Sequence, residues 1–126
     1  MELEERAMQI IRHQFGTNPE LSGFVITDCR KDLCGYDVRA EKPGNVLRIE
    51  IKAHGREAKS VFVTKREWDE SRVKDSAGQE DRWELWNVEN LVGETGRTKI
   101  TRYGNLPDDA RSQEVGYWVD LNMCSR

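Results

Sequence analysis

A chain of 126 residues with 20 Lys and Arg against 23 Asp and Glu carries a formal charge of −3, and its charged share, 34%, nearly equals its hydrophobic share, 37%. That length suits one domain around a single core, and interspersed charge beside several apolar stretches excludes wholesale disorder. Collagen-like, coiled-coil and membrane-spanning classes are excluded too, since no run approaches the roughly 18 apolar residues that a bilayer span needs.

The opening Met1-Glu2-Leu3-Glu4-Glu5 lacks a basic segment followed by an apolar one, so an intracellular protein, cytoplasmic or nuclear, is expected. Cys29, Cys34 and Cys124 are an odd number without a C-x-x-C pair, which fits reduced thiols better than disulfides or zinc. From residue 3 to 15, Leu3, Ala7, Ile10, Ile11 and Phe15 share one side of a helical wheel, and Gly16-Thr17-Asn18-Pro19 stops the helix. Glu4 falls inside that apolar arc, about 60° from Ala7, while Glu5 projects nearly opposite.

Gly23 to Thr27 reads as a strand, Asp28 to Gly35 as a polar connection, and Tyr36 to Glu41 as a second strand. Val46 to Lys52 follows the turn Lys42-Pro43-Gly44-Asn45 and pairs back as a hairpin. Ser60 to Val63 is a short fourth strand, and Thr64-Lys65-Arg66-Glu67 has the capping-box spacing that starts a helix through about Val73. After a loop at Asp75 to Gln79, Arg82 to Val88 is a strand with Trp83, Leu85 and Asn87 to one side. Arg97 to Tyr103 is a peripheral strand, and Val115 to Leu121 a last one. The order indicates a single α/β or α+β unit around a mixed sheet.

Alternation in the third strand sets Leu47, Ile49 and Ile51 on one face and Arg48, Glu50 and Lys52 on the other. The second strand divides likewise, with Tyr36, Val38 and Ala40 opposite Asp37 and Arg39. Matching the apolar faces pairs Tyr36 with Ile51, Val38 with Ile49 and Ala40 with Leu47, which puts Asp37 opposite Glu50 with Lys52 farther along the same face. Two opposed carboxylates repel unless a proton, a cation or a basic side chain intervenes. Mg²⁺ would supply the cation, because it takes one or two protein carboxylates with water and phosphate, and Lys52 would hold a water or offset charge on phosphorus.

Gly35-Tyr36-Asp37-Val38-Arg39 followed by Arg48-Ile49-Glu50-Ile51-Lys52 resembles the Asp…Glu-x-Lys signature of the PD-(D/E)XK nuclease superfamily. The similarity is strongest to its DUF3883 domains, found at the C-terminus of NO VEIN-like proteins and in several bacterial defence proteins. Val61 to Trp68 resembles that family's strand and Glu-Trp helix start, and Trp83 to Val88 its aromatic strand, so the likeness spans roughly residues 3 to 105. The resemblance implies a restriction-endonuclease-like fold, a central mixed four-stranded sheet flanked by helices.

It also implies a Mg²⁺- or Mn²⁺-dependent endonuclease acting on DNA, with Asp37 and Glu50 as metal ligands, Lys52 as catalytic lysine and Glu4 assisting from the first helix. Ala53-His54 departs from the Gly or Thr that relatives carry after the lysine. His54 and Arg56 in the following loop, and Lys65 and Arg66 at the second helix start, are candidates for substrate phosphate. Arg39 and Arg48 are expected beside the acids. The four tryptophans are core residues by default, with base stacking as the alternative. A solvated charged face is the plain alternative for Glu-x-Lys, and a non-catalytic module binding nucleic acid or protein is the alternative for the whole chain. A homodimer, or a place in a larger multidomain protein, would supply the recognition elements that a core this small lacks.

Overall fold

Three- and four-residue apolar spacing makes the first element helical. In the computed structural model, which describes residues 2–32, 35–73, 80–92, 97–108, 110–113 and 116–125, it is α1, Leu3–Thr17. α1 buries Ala7, Met8 and Ile11, with Leu3, Ile10 and Phe15 packed at the margins. Asn18 ends it and caps a short 3-10 turn, Pro19–Leu21, by accepting from the Glu20 N–H.

β1 (Val25–Asp28), β2 (Val38–Lys42) and β3 (Asn45–Ala53) form an antiparallel meander. Val38 faces Ile49 and Ala40 faces Leu47, the register that the apolar pattern requires. Lys42 pairs with Asn45, so the reversal itself is only Pro43-Gly44, in which Gly44 takes a φ of +79°. Pro then Gly is the order that a type II turn favours.

The chain then leaves this sheet through β4 (Ser60–Thr64) and α2 (Lys65–Ser71) before β5 (Glu80–Glu89) returns parallel to β3. β6 (Lys99–Tyr103) pairs antiparallel with β5, completing a five-stranded mixed sheet of order β1-β2-β3-β5-β6. β4 instead joins β7 (Arg111–Gln113) and β8 (Gly116–Asp120) in a second sheet of order β4-β8-β7. The architecture is α+β, a mixed sheet flanked by two helices. It has five central strands where the resemblance implied four, and β4 lies outside it.

The second sheet has a packing reason. Leu47, Ile49, Ile51, Trp86 and Val88 cover one face of the main sheet against α1. On the other face Trp83 and Leu85 need cover, and Val61, Val63 and Val119 of the second sheet supply it. β3 and β5 are therefore enclosed from both sides. The charged face of β3, which a lone sheet would leave in water, is buried: Arg48 is 3% and Glu50 4% exposed.

Arg48 is neutralised away from Asp37 and Glu50. It donates to Asp81 at 2.8 Å, to the Val73 carbonyl at 2.9 Å and to Glu70. Arg39 turns to Glu41 at 2.8 Å and to the Tyr36 hydroxyl. The expectation that both arginines would sit beside the two acids is thus corrected; each has carboxylates of its own nearby. α2 closes at Ser71, two residues short of Val73. Cys34, the loop at Asp75 to Gln79, and Val115 lie outside the described residues. Among the described residues no helix is long and apolar enough to cross a membrane.

Candidate acid and lysine site

β2 stops pairing regularly at Val38, so Asp37 is not a ladder partner of Glu50 as the extended register expects. Instead the Asp37 N–H donates to the Ile49 carbonyl at 2.8 Å, and its Oδ2 accepts the Ile51 N–H at 2.7 Å. The carboxylate takes the place of a strand carbonyl. This bend starts from Gly35, whose φ of +83° suits a residue without a Cβ; a Cβ there would lie 3.2 Å from Arg66 and Glu70.

The bend still brings the acids together. Asp37 and Glu50 line one small pocket of about 200 Å³ with Cys29, Arg30, Arg66 and Glu67. Glu50 Oε2 lies 3.2 Å from Lys52 Nζ, and Lys52 donates to Glu67 Oε1 at 2.9 Å. Glu67 Oε1 also accepts the Thr64 N–H at 3.0 Å, while Thr64 Oγ1 accepts from the Glu67 N–H. The capping box that starts α2 is therefore the same group that holds the lysine.

Burial dominates the electrostatics. It pushes the Glu50 carboxyl up to about 10; Lys52 opposes this, and the Asp37 and Glu67 carboxylates add to it. Burial also raises Asp37 against the pull of the Ile51 N–H, and the charge of Glu4 raises it further, while a hydrogen bond with Glu50 and the charge of Lys52 oppose. For Lys52, burial alone would lower the pKa, but Glu50 and Glu67 outweigh it and hold the ammonium charged. For Glu67, burial is outweighed by Lys52 and the Thr64 N–H, and its pKa falls. The site thus holds one firm cation, one firm anion, and two acids that resist ionising together.

A divalent cation would relieve two acids that resist ionising together. Among the described residues no group of three or more His, Cys, Asp or Glu is gathered to hold a metal. Two carboxylates completed by water and phosphate are nevertheless a donor set that Mg²⁺ accepts, and oxygen-only ligands suit it. The residues present fit a magnesium ion with a largely aqueous shell.

The other expected residues divide. Glu4, placed by the wheel in the apolar arc of α1, is exposed; it lies 4.0 Å from Arg30, and its charge reaches Asp37. Arg66 lines the acid pocket. His54 lies with Lys52 and Glu4 in an adjoining cleft, and its Nε2 is 2.6 Å from Asn87 Oδ1. Lys65 turns to Asp69 at 3.1 Å, and Arg56 is exposed in the β3–β4 connection; neither lines the acid pocket.

The model of the family described as Protein NO VEIN, C-terminal, matches residues 3–103. The chain belongs to the NO VEIN C-terminal family. No curated protein matches it. The NO VEIN match runs from α1 to the end of β6, so it includes Glu4, Asp37, Glu50, Lys52 and Glu67 and stops before β7 and β8.

Three groups of this NO VEIN domain's site escape the sequence reading. Glu67 is visible there only as a helix cap. Arg30 lines the acid pocket, donates to Asp28 at 2.6 to 3.1 Å and pairs with Glu5 at 3.1 Å; it sits in an irregular connection where no periodicity points to it. Asn87, level with Lys52 in the parallel register and 1% exposed, anchors His54. Its signal is a polar residue interrupting the Trp83, Leu85 face of β5.

Proposed function

We propose that this domain is a metal-dependent phosphodiesterase of the PD-(D/E)XK type, in its DUF3883 branch, that cleaves DNA as an endonuclease. The observation that carries the proposal is Glu50, 4% exposed, with Lys52 Nζ at 3.2 Å and Asp37 in the same pocket. A sheet gains nothing by enclosing two neighbouring acids that disfavour each other's ionisation, so their burial makes sense as a poised cation site.

Asp37 and Glu50 would hold Mg²⁺ or Mn²⁺, which when bound supplies Lewis acidity toward a phosphodiester. Lys52, kept protonated by its two carboxylates, orients a water by hydrogen bonding and offsets charge that develops on the phosphate oxygens. Glu67 fixes the lysine's position. Arg66 and Arg30, in the same pocket, face an incoming phosphate, and Glu4 adds negative charge that favours a cation at Asp37. The second sheet limits access of water to these groups.

The test is cleavage of plasmid, single-stranded DNA and RNA with Mg²⁺ or Mn²⁺, beside thermal melting. Metal-dependent cleavage absent in Lys52→Ala, and metal stabilisation absent in Asp37→Asn and Glu50→Gln, support the enzyme. One observation favours a second reading, a non-catalytic binding module: Lys52 Nζ already contacts two carboxylates, Glu50 and Glu67. Nucleic-acid binding that survives all three substitutions without any cleavage would decide for it.

A further inference from the structure

Next to the acid pocket lies a cleft of about 700 Å³ between the start of α1 and the second sheet, lined by Lys52, whose Nζ meets Glu50 and Glu67 of the acid pocket. That volume falls within the usual range for small-ligand sites. One wall carries Lys52 and His54, the other Phe62 and Trp118, and Glu2 and Glu4 stand at the α1 end.

Phe62 and Trp118 are direct partners in the β4–β8 ladder, so both rings leave the outer face of that sheet while Val61, Val63 and Val119 fill the core beneath. Their centroids are 5.4 Å apart at an interplanar angle of 64°. Phe62 is pinned from the other side by Gly116, where a Cβ would lie 2.7 Å from the ring. Trp118 is held by Phe62 yet stays 41% exposed. Trp83 and Trp86 are 5% and 1% exposed, and Trp68 stacks on Tyr117 with centroids 4.0 Å apart. Trp118 is the tryptophan whose ring the core does not use.

We infer that this ledge is a nucleobase subsite: Trp118, braced by Phe62, stacks on an unpaired base of the strand whose phosphate meets Lys52. The inference rests on the phosphodiesterase proposal and names its substrate class, a single strand or an unpaired segment. Two features of the cleft choose this occupant over a protein segment. An ammonium and an imidazole oppose an aromatic face across one cleft, which matches the charged and flat halves of a nucleotide. Carboxylates of Glu2 and Glu4 at the α1 end repel phosphate and accept from an exocyclic amine, as carboxylates do with cytosine N4, which turns the base rather than the backbone toward them. A base inside a duplex is already stacked and cannot reach the ledge. β8 lies beyond the 3–103 family match, so half of the ledge falls outside the matched region.

The experiment is fluorescence anisotropy of a labelled DNA single strand, its blunt duplex and an abasic strand of equal length. It is run in EDTA and again with Ca²⁺, a hard cation that takes the same oxygen ligands. Wild type, Trp118→Ala and Trp118→Phe are compared after melting curves establish that each is folded. The inference expects wild type to prefer the single strand. Trp118→Ala should weaken that binding roughly 5- to 150-fold, the loss of one base stack, and Trp118→Phe should restore most of it. The abasic strand should not distinguish Trp118→Ala from wild type. Unchanged affinity in Trp118→Ala, or an equal loss on duplex, overturns the nucleobase subsite and leaves the phosphodiesterase standing if cleavage persists. So does gel filtration in which wild type self-associates through the ledge and Trp118→Ala does not. Failure of wild type to bind or cut any nucleic acid overturns both together.

Discussion

Replacing Glu50 by glutamine separates a structural acid from a cation site. In the metal-free protein the Glu50 carboxyl is held near 10 by burial, against about 4.5 in the unfolded chain. The native state therefore keeps a proton that the unfolded chain releases, and stability falls as pH rises from 4.5 toward 10. Each pH unit in that interval costs about 1.4 kcal/mol, so at pH 7 the acid destabilises the fold by at most about 3.5 kcal/mol, a penalty that the Lys52 ammonium at 3.2 Å has already reduced. Glutamine keeps the volume and the hydrogen bonds without the titration.

Glu50→Gln should accordingly match wild type near pH 5 and exceed it by up to about 5 kcal/mol at pH 8 in urea unfolding without metal. Mg²⁺ works against this difference. At a hundred times its dissociation constant, an ion bound only to the native state adds about 2.7 kcal/mol to wild type and nothing to the variant. The measurement is a set of urea midpoints at four pH values with EDTA or Mg²⁺. A wild-type curve flat from pH 5 to 9 refutes the buried-acid argument. A variant stabilised by Mg²⁺ as much as wild type refutes the assignment of Glu50 as a ligand.

Asp37→Ala orphans the Ile51 N–H and should cost about 1–3 kcal/mol in urea unfolding, whereas Asp37→Asn still offers that N–H an oxygen and loses only the Mg²⁺ response. Gly35→Ala forces a positive φ and a 3.2 Å contact with Arg66 and Glu70, so a Tm loss equivalent to about 1–2 kcal/mol is expected, together with weaker Mg²⁺ stabilisation. Arg48→Ala leaves Asp81 and Glu70 without their buried cation and should cost about 3–5 kcal/mol by the same urea assay. Exchanging Arg48 for methionine should recover little, because the two carboxylates remain.

The register of β2 on β3 was legible because it is decided by which residues must face the core, and Val38, Ala40, Leu47 and Ile49 leave one solution. Position 37 was less so. There the side chain of Asp37 replaces a backbone acceptor, and no period-two pattern encodes that substitution. Burial of the charged face was illegible for a different reason. Alternation reports that Arg48, Glu50 and Lys52 share a side, but what covers that side is β4 and α2 packed with β8, and β8 is over sixty residues downstream. Glu4 shows the converse limit: the wheel placed it in the apolar arc, yet it lies in the first turn of α1 and stays in solvent.

The capping box ties the site to the fold. α2 is only seven residues long, too short to persist without tertiary support. Its first turn is held by Glu67 bonding back to Thr64, and the same Oε1 accepts from Lys52, which β3 delivers from the main sheet. Docking of β4 and α2 is therefore needed to fix the lysine, and the lysine in turn stabilises the helix start. Glu67→Gln tests that reciprocity. The amide still accepts from the Thr64 N–H, so the cap survives, but Lys52 keeps only Glu50 as an anionic partner. Glu50 should then be drawn toward its ionised form, since its repulsion from Glu67 is gone and its attraction to Lys52 is not. The decline of stability with pH should consequently end at a lower pH than in wild type, and Mg²⁺ should bind at lower pH. A variant whose pH profile and Mg²⁺ response both match wild type would mean that Glu67 serves the helix alone.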